Sequence, residues 1–466
     1  MSDFFTNDFS AVITTGIYCR PGCAGRPHRR NVLRFSTAAA AEAAGFRACL
    51  RCRPYRSDPP LSWSDPELVC RAVRLVIDGA LDGHTEHELG SRLGISARHL
   101  RRLFDEHLGV TPDQLARSRR AHFARRLLDD TDLTVTEISS ASGFGSVRQL
   151  NRACLEVFRA PPGDLRARRR VSDRLVADGG LTLRLAHRGP LDWELMLGYF
   201  RARATAGVEH VSAHTYRRTV SIEGDPGVIE LSRGSSEHLL LRAHLPHWEG
   251  LIHIAQRARR IFNLDADVDA AADGLNGDAI IGPLLDLHPG LRPPGAWDAF
   301  EIGVRAIIGQ QISVAAANTV VARVVERHGT PVPGLGALGL THLFPSASQL
   351  AGADLGDLGL TSARARAVDA FASAVTDHQI DLDGSRTLQE LIASITATAG
   401  LGLWTANYIA LRLGEPDAFP ATDLGLRRAL GKRVSGRQAE ELAGRWRPHR
   451  AHAAAHLWLS QPALDR

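Results

Sequence analysis

Four cysteines near the start of the chain constrain its fold more than any other feature. Cys19 and Cys23 form a C-x3-C pair in YCRPGC, and Cys49 and Cys52 form a C-x2-C pair in FRACLRC. Two such pairs on separate loops can converge on one tetrahedral ion, and thiolate ligands favour zinc. The spacing therefore predicts one Zn²⁺ ion held by four cysteine ligands.

Disulfide bonds are the alternative for these cysteines. They need an oxidising compartment, but the segment MSDFFTNDFSAV has neither the basic nor the apolar region of a secretory signal. Thiols in the cytoplasm stay reduced, and no apolar run approaches the length of a membrane span. We therefore expect a cytoplasmic protein without a membrane partner, in which the four cysteines bind metal.

The sequence around the cysteines, TTGIYCRPGC and then NVLRFSTAAAAEAAGFRACLRCRP, resembles the methylphosphotriester-repair domain of the Ada family. The resemblance implies a zinc-binding methyl-acceptor domain over residues 1–58, with Cys19 as the nucleophile; a purely structural zinc site is the alternative. One thiolate among four on Zn²⁺ remains electron-rich at neutral pH. Methylation would remove a negative charge beside the DNA polyanion, so the affinity for DNA should rise.

Charge is distributed unevenly along the 466 residues. Residues 1–172 contain 27 arginines and 19 acidic residues, whereas the rest of the chain contains 29 basic and 32 acidic residues. The basic front part has the electrostatic footprint of a nucleic-acid binder. The length by itself predicts about three domains.

An internal repeat marks residues 66–170, whose pattern predicts helices throughout. SARHLRR recurs fifty residues on as SVRQLNR, and each copy follows a short amphipathic helix and a turn with glycine. This layout predicts two helix-turn-helix units, with a plain helical bundle as the alternative. TEISSASGFGSVRQLNRAC also resembles the AraC-type DNA-binding domain, which carries two such units. By that resemblance, the candidates for base or phosphate contact are Arg98, Arg102, Arg148, Gln149 and Arg152.

The composition changes from Leu181 onward. LTLRLAHRG, TVSIEGD, VIELSRG and HLLLRAHL alternate apolar and polar residues, which predicts antiparallel strands. LDWELMLGYFRARA and GLIHIAQRARRIFNL have helical patterns and flank these strands. We predict an α+β domain over residues 181–292 and an all-α domain over residues 293–466.

The segment GLGLWTANYIALR, followed by PATDLGLR, indicates a second chemistry. Gly400 and Gly402 bracket a tight turn before a helix that begins near Leu403, and amides at such a helix start can bind a phosphate. The pattern resembles the helix-hairpin-helix glycosylases, most closely the AlkA-type 3-methyladenine DNA glycosylases. The similarity runs from about Leu181 to the C-terminus, so the first domain of this half resembles the AlkA N-terminal domain. The whole chain is then multidomain and mainly α.

The AlkA-type resemblance assigns roles to individual residues. Asp423 is the catalytic carboxylate, which stabilises the positive charge that develops on the sugar as the glycosidic bond breaks; without the motif, an Asp at a helix start would be an N-cap. Aromatic faces attract electron-poor alkylated bases. The implied base pocket contains Tyr199, Trp404, Tyr408 and Trp458, and the implied DNA contacts are Gln311, Gly400, Gly402 and Thr405. Core packing is the alternative for each aromatic residue, and a buried helix contact is the alternative for Gln311.

Trp404 also predicts the subclass of glycosylase. In the bifunctional members of the superfamily, a lysine at this position forms a Schiff base with the sugar. The only lysine of the chain is Lys432, which lies on the next predicted helix. We therefore expect a monofunctional enzyme that leaves an abasic site and does not cut the strand.

Together these features predict a DNA alkylation-repair protein fused to a transcriptional activator. Two alternatives remain: a regulator with an inactive glycosylase half, and a glycosylase for another damaged base. The expected partners are double-stranded DNA with alkylated bases and methylphosphotriesters, and RNA polymerase. We expect the protein to be a monomer.

Overall fold

The computed structural model describes residues 8–25, 27–56, 66–170, 173–175, 180–431 and 433–459. These residues form two compact units. The first contains the described residues up to His187, together with His247–Gln256. The second contains Arg188–Pro246 and the described residues from Arg257 onward.

The first unit begins with a small mixed sheet. Its elements are β1 (Phe9–Val12), β2 (Ile17–Cys19), β3 (Val32–Phe35), α1 (Ala38–Ala43) and β4 (Arg47–Ala48). The strand order is β3-β1-β2-β4; β1 is antiparallel to β2 and β3, and β2 is parallel to β4. Because parallel strands end at the same edge of a sheet, the residues that follow β2 and β4 lie close together.

The rest of this unit is mainly helical, as predicted for residues 66–170. Its helices are α2 (Glu67–Ile77), α3 (Glu86–Arg92), α4 (Ala97–Leu108), α5 (Pro112–Asp130), α6 (Val135–Ala141), α7 (Val147–Phe158) and α8 (Pro162–Ala167). They are followed by β5 (Leu181–Ala186), from which Arg184 donates a hydrogen bond of 2.8 Å to Asp130 at the end of α5.

The internal repeat corresponds to two matching helix starts. Ser96 and Ser146 are the N-caps of α4 and α7, and each side chain accepts a hydrogen bond from the backbone three residues on. Leu100 and Leu150 occupy the same place in each copy and are fully buried. The repeated residues therefore fix how each second helix begins and which side of it faces the core.

The second unit opens with the α+β part. Its elements are α9 (Trp193–Arg203), β6 (Glu209–Val211), β7 (Thr215–Ile222), β8 (Asp225–Arg233), β9 (His238–His244), the end of α10 (Leu251–Ile261), α11 (Val268–Leu275) and α12 (Gly282–Leu287). The residues of α10 up to Gln256 belong to the first unit. The strands β6 to β9 pair in chain order, each antiparallel to the next. The predicted strands and flanking helices are present, and β6 is an additional short strand.

The remainder of the second unit is a helical core with one small strand pair. Its elements are α13 (Ala299–Ile308), α14 (Val314–His328), β10 (Thr330–Pro331), β11 (His342–Leu343), α15 (Ala347–Leu350), α16 (Ser362–Thr376), α17 (Leu388–Thr396), α18 (Leu403–Arg412), α19 (Leu424–Leu430), α20 (Gly436–Ala443) and α21 (Arg450–Leu459). Phe300 and Phe371 stack at its centre with ring centroids 5.5 Å apart. No helix in the described ranges has the length and apolarity needed to span a membrane.

Candidate metal centre, DNA-reading helices and base pocket

The four predicted ligands meet at the edge of the first sheet. Cys19 ends β2 and Cys49 directly follows β4, and the amide of Cys49 donates a hydrogen bond of 3.0 Å to the carbonyl of Tyr18. The parallel pairing of the two strands thus brings the C-x3-C and C-x2-C loops together. All four sulfur atoms lie within 4.8 Å of one another, and each side chain is partly exposed.

This donor set fits zinc. Zn–S bonds of about 2.3 Å in a tetrahedron require sulfur atoms about 3.8 Å apart, which the cluster can reach with small shifts. Between the thiols alone, the hydrogen bond to Cys19 lowers the pKa of Cys52 to about 5, and the same hydrogen bond raises the pKa of Cys19 well above its ordinary value. Four thiolates can therefore coexist only around a cation.

A buried carboxylate joins the metal module to the long helix α5. Glu42 lies in the alanine-rich helix α1. Its Oε1 accepts from the Tyr18 hydroxyl at 2.6 Å and lies 2.6 Å from Nε2 of His122, and its Oε2 accepts from the Ser118 hydroxyl at 2.7 Å. Tyr18 precedes the ligand Cys19, so one side chain links the metal site to the helix between the two helix-turn-helix units.

The predicted DNA-reading side chains lie on the outer faces of α4 and α7. Arg98, Arg102, Arg148, Gln149 and Arg152 are all exposed. Two of the side chains on α7 make contacts within their own segment. On α7, Gln149 accepts from the amide of Gly145 at 3.0 Å, and Arg152 pairs with Glu156 at 2.8 Å.

Asp423 caps a helix and also accepts hydrogen bonds from two indoles. It is the N-cap of α19, where Oδ1 accepts from the amide of Leu426 at 3.1 Å. The same Oδ1 accepts from the Trp458 indole N–H at 2.9 Å, and Oδ2 accepts from the Trp404 indole N–H at 2.9 Å. The side chain is partly exposed, so two indoles orient a carboxylate that can still be reached from outside.

The predicted pocket aromatics are brought together around this carboxylate. Trp404 and Tyr408 stack with centroids 5.3 Å apart and planes 16° from parallel, and Tyr408 makes an edge contact with Trp458 at 6.1 Å. Tyr199 comes from α9, and its hydroxyl lies 3.3 Å from that of Tyr408. Tyr199 is buried, whereas the other three rings are partly exposed. Tyr199 therefore packs in the interior, and Trp404, Tyr408 and Trp458 can be reached from solvent.

The hairpin before α18 has the geometry of a phosphate site. Gly400 has φ +84°, and a Cβ there would lie 2.8 Å from the Cβ of Ala367, so only glycine fits. Gly402 is the N-cap of α18, and among the described residues no side chain caps that helix. Thr405 is only 1% exposed, and its hydroxyl oxygen accepts from Gln310 at 2.9 Å.

Gln311 occupies an exposed turn and a strained backbone conformation. Its φ is +58°, a region that residues other than glycine seldom adopt. Neighbouring contacts hold the turn: Gln310 donates to Thr405 and to the carbonyl of Gly400 at 3.4 Å, and Arg364 donates to the carbonyl of Gln310. Such strain is common where a side chain must be presented for function.

Several residues in these sites are not predicted by the sequence patterns. Glu42 was identifiable as the single acid in AAAAEAA, and Arg412 as the residue four positions after Tyr408 and eight after Trp404. Their partners, however, lie up to 213 residues away. Lys432 lies outside the described residues.

Family models match four consecutive parts of the chain. They are the metal binding domain of Ada (residues 2–55), a helix-turn-helix domain (89–168), the AlkA N-terminal domain (182–298) and the HhH-GPD superfamily of base excision DNA repair proteins (304–443). Each model falls in the part of the chain that carries the corresponding geometry.

Two curated proteins and one solved structure show similarity over long stretches. The chain is 39% identical to the "Probable bifunctional transcriptional activator/DNA repair enzyme AlkA" of Mycobacterium tuberculosis, over 97% of this chain and 92% of that protein. It is 32% identical to DNA-3-methyladenine glycosylase 2 of Escherichia coli, over 58% of this chain and 95% of that one. The 3-methyladenine DNA-glycosylase from Archaeoglobus fulgidus covers 59% of this chain and 97% of its own, with 23% identity and a TM-score of 0.52, which supports the same fold.

Proposed function

The chain belongs to the Ada/AlkA family of bifunctional transcriptional activator and DNA repair proteins, and we propose that Asp423 and Cys19 carry its two repair reactions. As a member it is a DNA alkylation-repair protein in which a DNA glycosylase is joined to a zinc-binding domain and a helix-turn-helix regulator. The lesion class, the catalytic residues and the methyl transfer are the parts that we propose.

One observation carries the glycosylase proposal: the Asp423 carboxylate is fixed by two indole N–H groups within an aromatic cluster. A carboxylate accepts about four hydrogen bonds, and the described residues supply three to Asp423. The remaining acceptor site can face a sugar or a water. Because the oxygens are held in place before substrate arrives, no reorganisation is needed as charge develops.

The proposed reaction is hydrolysis of the N-glycosidic bond. The bond between the sugar C1′ and the base nitrogen breaks, and its electron pair leaves with the base. Asp423 stabilises the positive charge that remains on the sugar. Water then attacks C1′ and gives up a proton to the surrounding solvent, which leaves an abasic sugar and a free base.

The aromatic cluster supports alkylated bases as the substrate class. A base methylated at a ring nitrogen is electron-poor and often cationic, and it binds well to the faces of Trp404, Tyr408 and Trp458. It is also a good leaving group. The E. coli relative is named a DNA-3-methyladenine glycosylase, and we infer that this chain takes the same class of base.

Trp404 also supports a monofunctional reaction. Its indole N–H is bound to Asp423, where a bifunctional enzyme needs an amine for a Schiff base.

The hairpin amides around Gly402 bind a phosphate of the duplex, while the exposed Gln311 fills the gap left by the flipped nucleotide.

The glycosylase proposal is tested by incubating the protein with methylated duplex DNA and identifying the released bases by chromatography. Asp423→Asn keeps an oxygen for the N-cap but loses the charge, so release should fall by at least about 10²-fold. Asp381→Asn, which alters a carboxylate paired with Arg386, serves as the control. No release of 3-methyladenine or 7-methylguanine by the parent, or equal release by Asp423→Asn, would refute the proposal.

The second proposed reaction is methyl transfer to Cys19. The sulfur attacks the methyl carbon of a methylphosphotriester; the S–C bond forms, the C–O bond breaks, and the phosphodiester leaves with the electron pair. Bound zinc keeps the thiol deprotonated. The partial exposure of all four cysteines and the surrounding arginines support access by DNA.

Mass-spectrometric peptide mapping after incubation with methylphosphotriester DNA tests this reaction. A single methyl group should be found on Cys19, and Cys70→Ala, which changes a buried thiol outside the cluster, should leave the transfer unchanged. A methyl group on Cys23, Cys49 or Cys52 instead would overturn the assignment.

The regulatory proposal follows from charge. Methylation converts a thiolate into a neutral thioether, which removes one negative charge beside DNA and raises affinity. The exposed arginines of α4 and α7 would then read the operator, and the monomeric protein would recruit RNA polymerase in the cytoplasm. Binding of promoter DNA before and after methylation, with Arg98→Ala and Arg148→Ala as variants, measures the effect; equal affinity in both states would contradict it.

A further inference from the structure

A buried arginine lies behind the aromatic cluster. Arg412 ends α18 and is only 4% exposed. Its Nη1 donates to the hydroxyl of Tyr199 at 3.1 Å and to that of Tyr408 at 2.9 Å. The guanidinium therefore holds the two tyrosines together from their hydroxyl ends.

The other side of the guanidinium is anchored to the backbone. Nε and Nη2 of Arg412 both donate to the carbonyl of Gly295, at 3.2 and 2.7 Å. A Cβ at Gly295 would lie 1.8 Å from the carbonyl oxygen of Arg260, so this close approach requires glycine. Because the guanidinium is planar, fixing Nε and Nη2 also fixes the position of Nη1. Nη1 therefore holds the two tyrosine hydroxyls in a defined place.

The contacts continue from Arg412 to Asp423. Trp404, Tyr408 and Arg412 are spaced four residues apart, which puts them along one face of α18. Tyr408 supports the face of Trp404 by stacking, and Trp404 donates its indole N–H to Asp423. Arg412 is thus connected to the Asp423 carboxylate indirectly, by way of the Tyr408 and Trp404 rings.

The partners of Arg412 are unusual for a buried charge. They are two neutral hydroxyls and a carbonyl, and no ion pair of Arg412 occurs among the described residues. A second guanidinium, that of Arg203, lies 4.0 Å from the ring centroid of Tyr199. Burying a cation without a carboxylate lowers the stability of the fold. If Arg412 served only to fill space, an apolar residue would do so at a lower free-energy cost.

We propose that Arg412 is a positioning residue for base excision, which fixes Tyr199 and Tyr408 so that the Trp404 indole stays on Asp423. Without the fork, Tyr408 can turn about its side-chain bonds and no longer holds the ring of Trp404 parallel. The N–H of Trp404 then leaves the carboxylate, and the carboxylate loses its fixed orientation. The inference rests on the proposed role of Asp423.

The test uses the full-length protein and two readouts. The first is the single-turnover rate of alkylated-base release from methylated duplex DNA. The second is the affinity for duplex DNA with a tetrahydrofuran abasic site, which places no base among the aromatics. Arg412→Gln and Arg412→Lys should lower the rate by about 10- to 10²-fold, the loss expected when a reacting group is misplaced by about 1 Å, and should leave the affinity unchanged.

A cycle of variants identifies the route of the effect. Tyr199→Phe/Tyr408→Phe keeps both rings but removes the hydroxyl anchors, so it should slow release to a similar degree. Adding Arg412→Gln to that pair should cause no further loss, because all three changes break the same contacts. Additive losses would overturn the proposal, as would a wild-type rate for Arg412→Lys.

A second buried arginine provides the matched control. Arg292 donates its hydrogen bonds among the described residues to backbone carbonyls, those of Asn263, Ala266, Arg188 and Pro190, and not to the tyrosine hydroxyls. Arg292→Gln should lower the melting temperature without changing the rate of the folded protein. If Arg412→Gln behaves in the same way, its role is structural and the proposal fails.

Asp423→Asn in the same assay separates this inference from the proposed function. If wild-type protein releases no alkylated base, or Asp423→Asn releases as much as wild type, the proposed function itself has failed. If release depends on Asp423 but the Arg412 variants release bases at the wild-type rate, only the inference about Arg412 has failed.

Discussion

Tyr408 should be the first tyrosine of this protein to ionise, and its ionisation should be visible by absorbance. The chain has five tyrosines. Burial raises the pKa of Tyr18, Tyr55 and Tyr216, and raises that of Tyr199 to about 12. Below pH 10, therefore, the folded protein should form one tyrosinate, at Tyr408.

The magnitude follows from the surroundings of the Tyr408 hydroxyl. Burial alone would raise its pKa, but the nearby guanidiniums of Arg412 and Arg203 outweigh burial and lower the pKa from 10.0 to about 8. Two unit charges about 4 Å apart attract by about 4 kcal/mol at an effective dielectric constant of about 20. A shift of two units corresponds to about 2.7 kcal/mol, so the attraction exceeds the cost of burial.

The assay is absorbance at 295 nm from pH 7 to 10. Wild type should show a step near pH 8 equal to about one fifth of the change on full ionisation of its five tyrosines. Arg412→Gln should move the step above pH 10, and Tyr199→Phe should retain it at a somewhat higher pH. The double variant Tyr199→Phe/Tyr408→Phe should abolish it, because both hydroxyls beside Arg412 are then gone. A flat wild-type trace below pH 9.5, or a step that survives in the double variant, would refute this electrostatic reasoning.

The same ionisation should affect stability with a defined sign. The folded-state pKa of Tyr408 lies below its unfolded value, so the unfolded chain binds more protons between pH 8 and 10. The free energy of unfolding should therefore rise with pH across this window, by up to about 2.7 kcal/mol. In urea titrations at pH 8 and 10, this rise should be missing from Tyr199→Phe/Tyr408→Phe.

Three further predictions concern the exposed turn at Gln311, the hairpin before α18, and the contact between Glu42 and α5. Gln311→Gly relieves a positive φ, so it should raise the free energy of unfolding by about 1 kcal/mol while weakening binding of abasic DNA. Gln311→Ala should weaken binding without raising stability. Equal stability of the two variants would contradict the inference that the backbone at Gln311 is strained. Gly400→Ala forces a Cβ to 2.8 Å from Ala367 and should weaken DNA binding in a filter assay, whereas Gly402→Ala, where a Cβ meets nothing within 4 Å, should weaken it less. Glu42→Ala leaves three buried polar groups without their carboxylate and should lower the free energy of unfolding by about 3 kcal/mol. Zinc should then be released at a lower urea concentration; an unchanged urea midpoint would contradict the link to α5.

Much of the fold was predictable because its signals are local. The serines of the repeat cap α4 and α7 through amides three residues away, and the alternation in β7 to β9 follows from the two faces of a strand. The strand pair β10–β11 was not predicted. Two residues in each strand are too few to show alternation, and their pairing depends on contact across the connecting loop.

The candidate sites also combine features that the sequence predicted with features that only the structure shows. The spacing of Cys19, Cys23, Cys49 and Cys52 predicted a metal centre, and the four-cysteine cluster in the Ada zinc-binding domain confirms it. The assignment of Asp423 as the catalytic residue stays a prediction. The structure adds that the cap and the indole contacts coexist in one carboxylate, which a sequence motif alone could not distinguish.

The sequence by itself therefore determined the order of the domains, the zinc ligands, the hairpin glycines and the identity of the candidate side chains. These depend on residue type and on neighbours within a few positions of the chain. Only the tertiary structure decided which groups orient them: Glu42 with His122, and Arg412 with Tyr199, pair across 80 and 213 residues. The physical reason is that a buried polar group takes whichever partner packing brings within hydrogen-bond distance, and separation along the chain does not encode that choice.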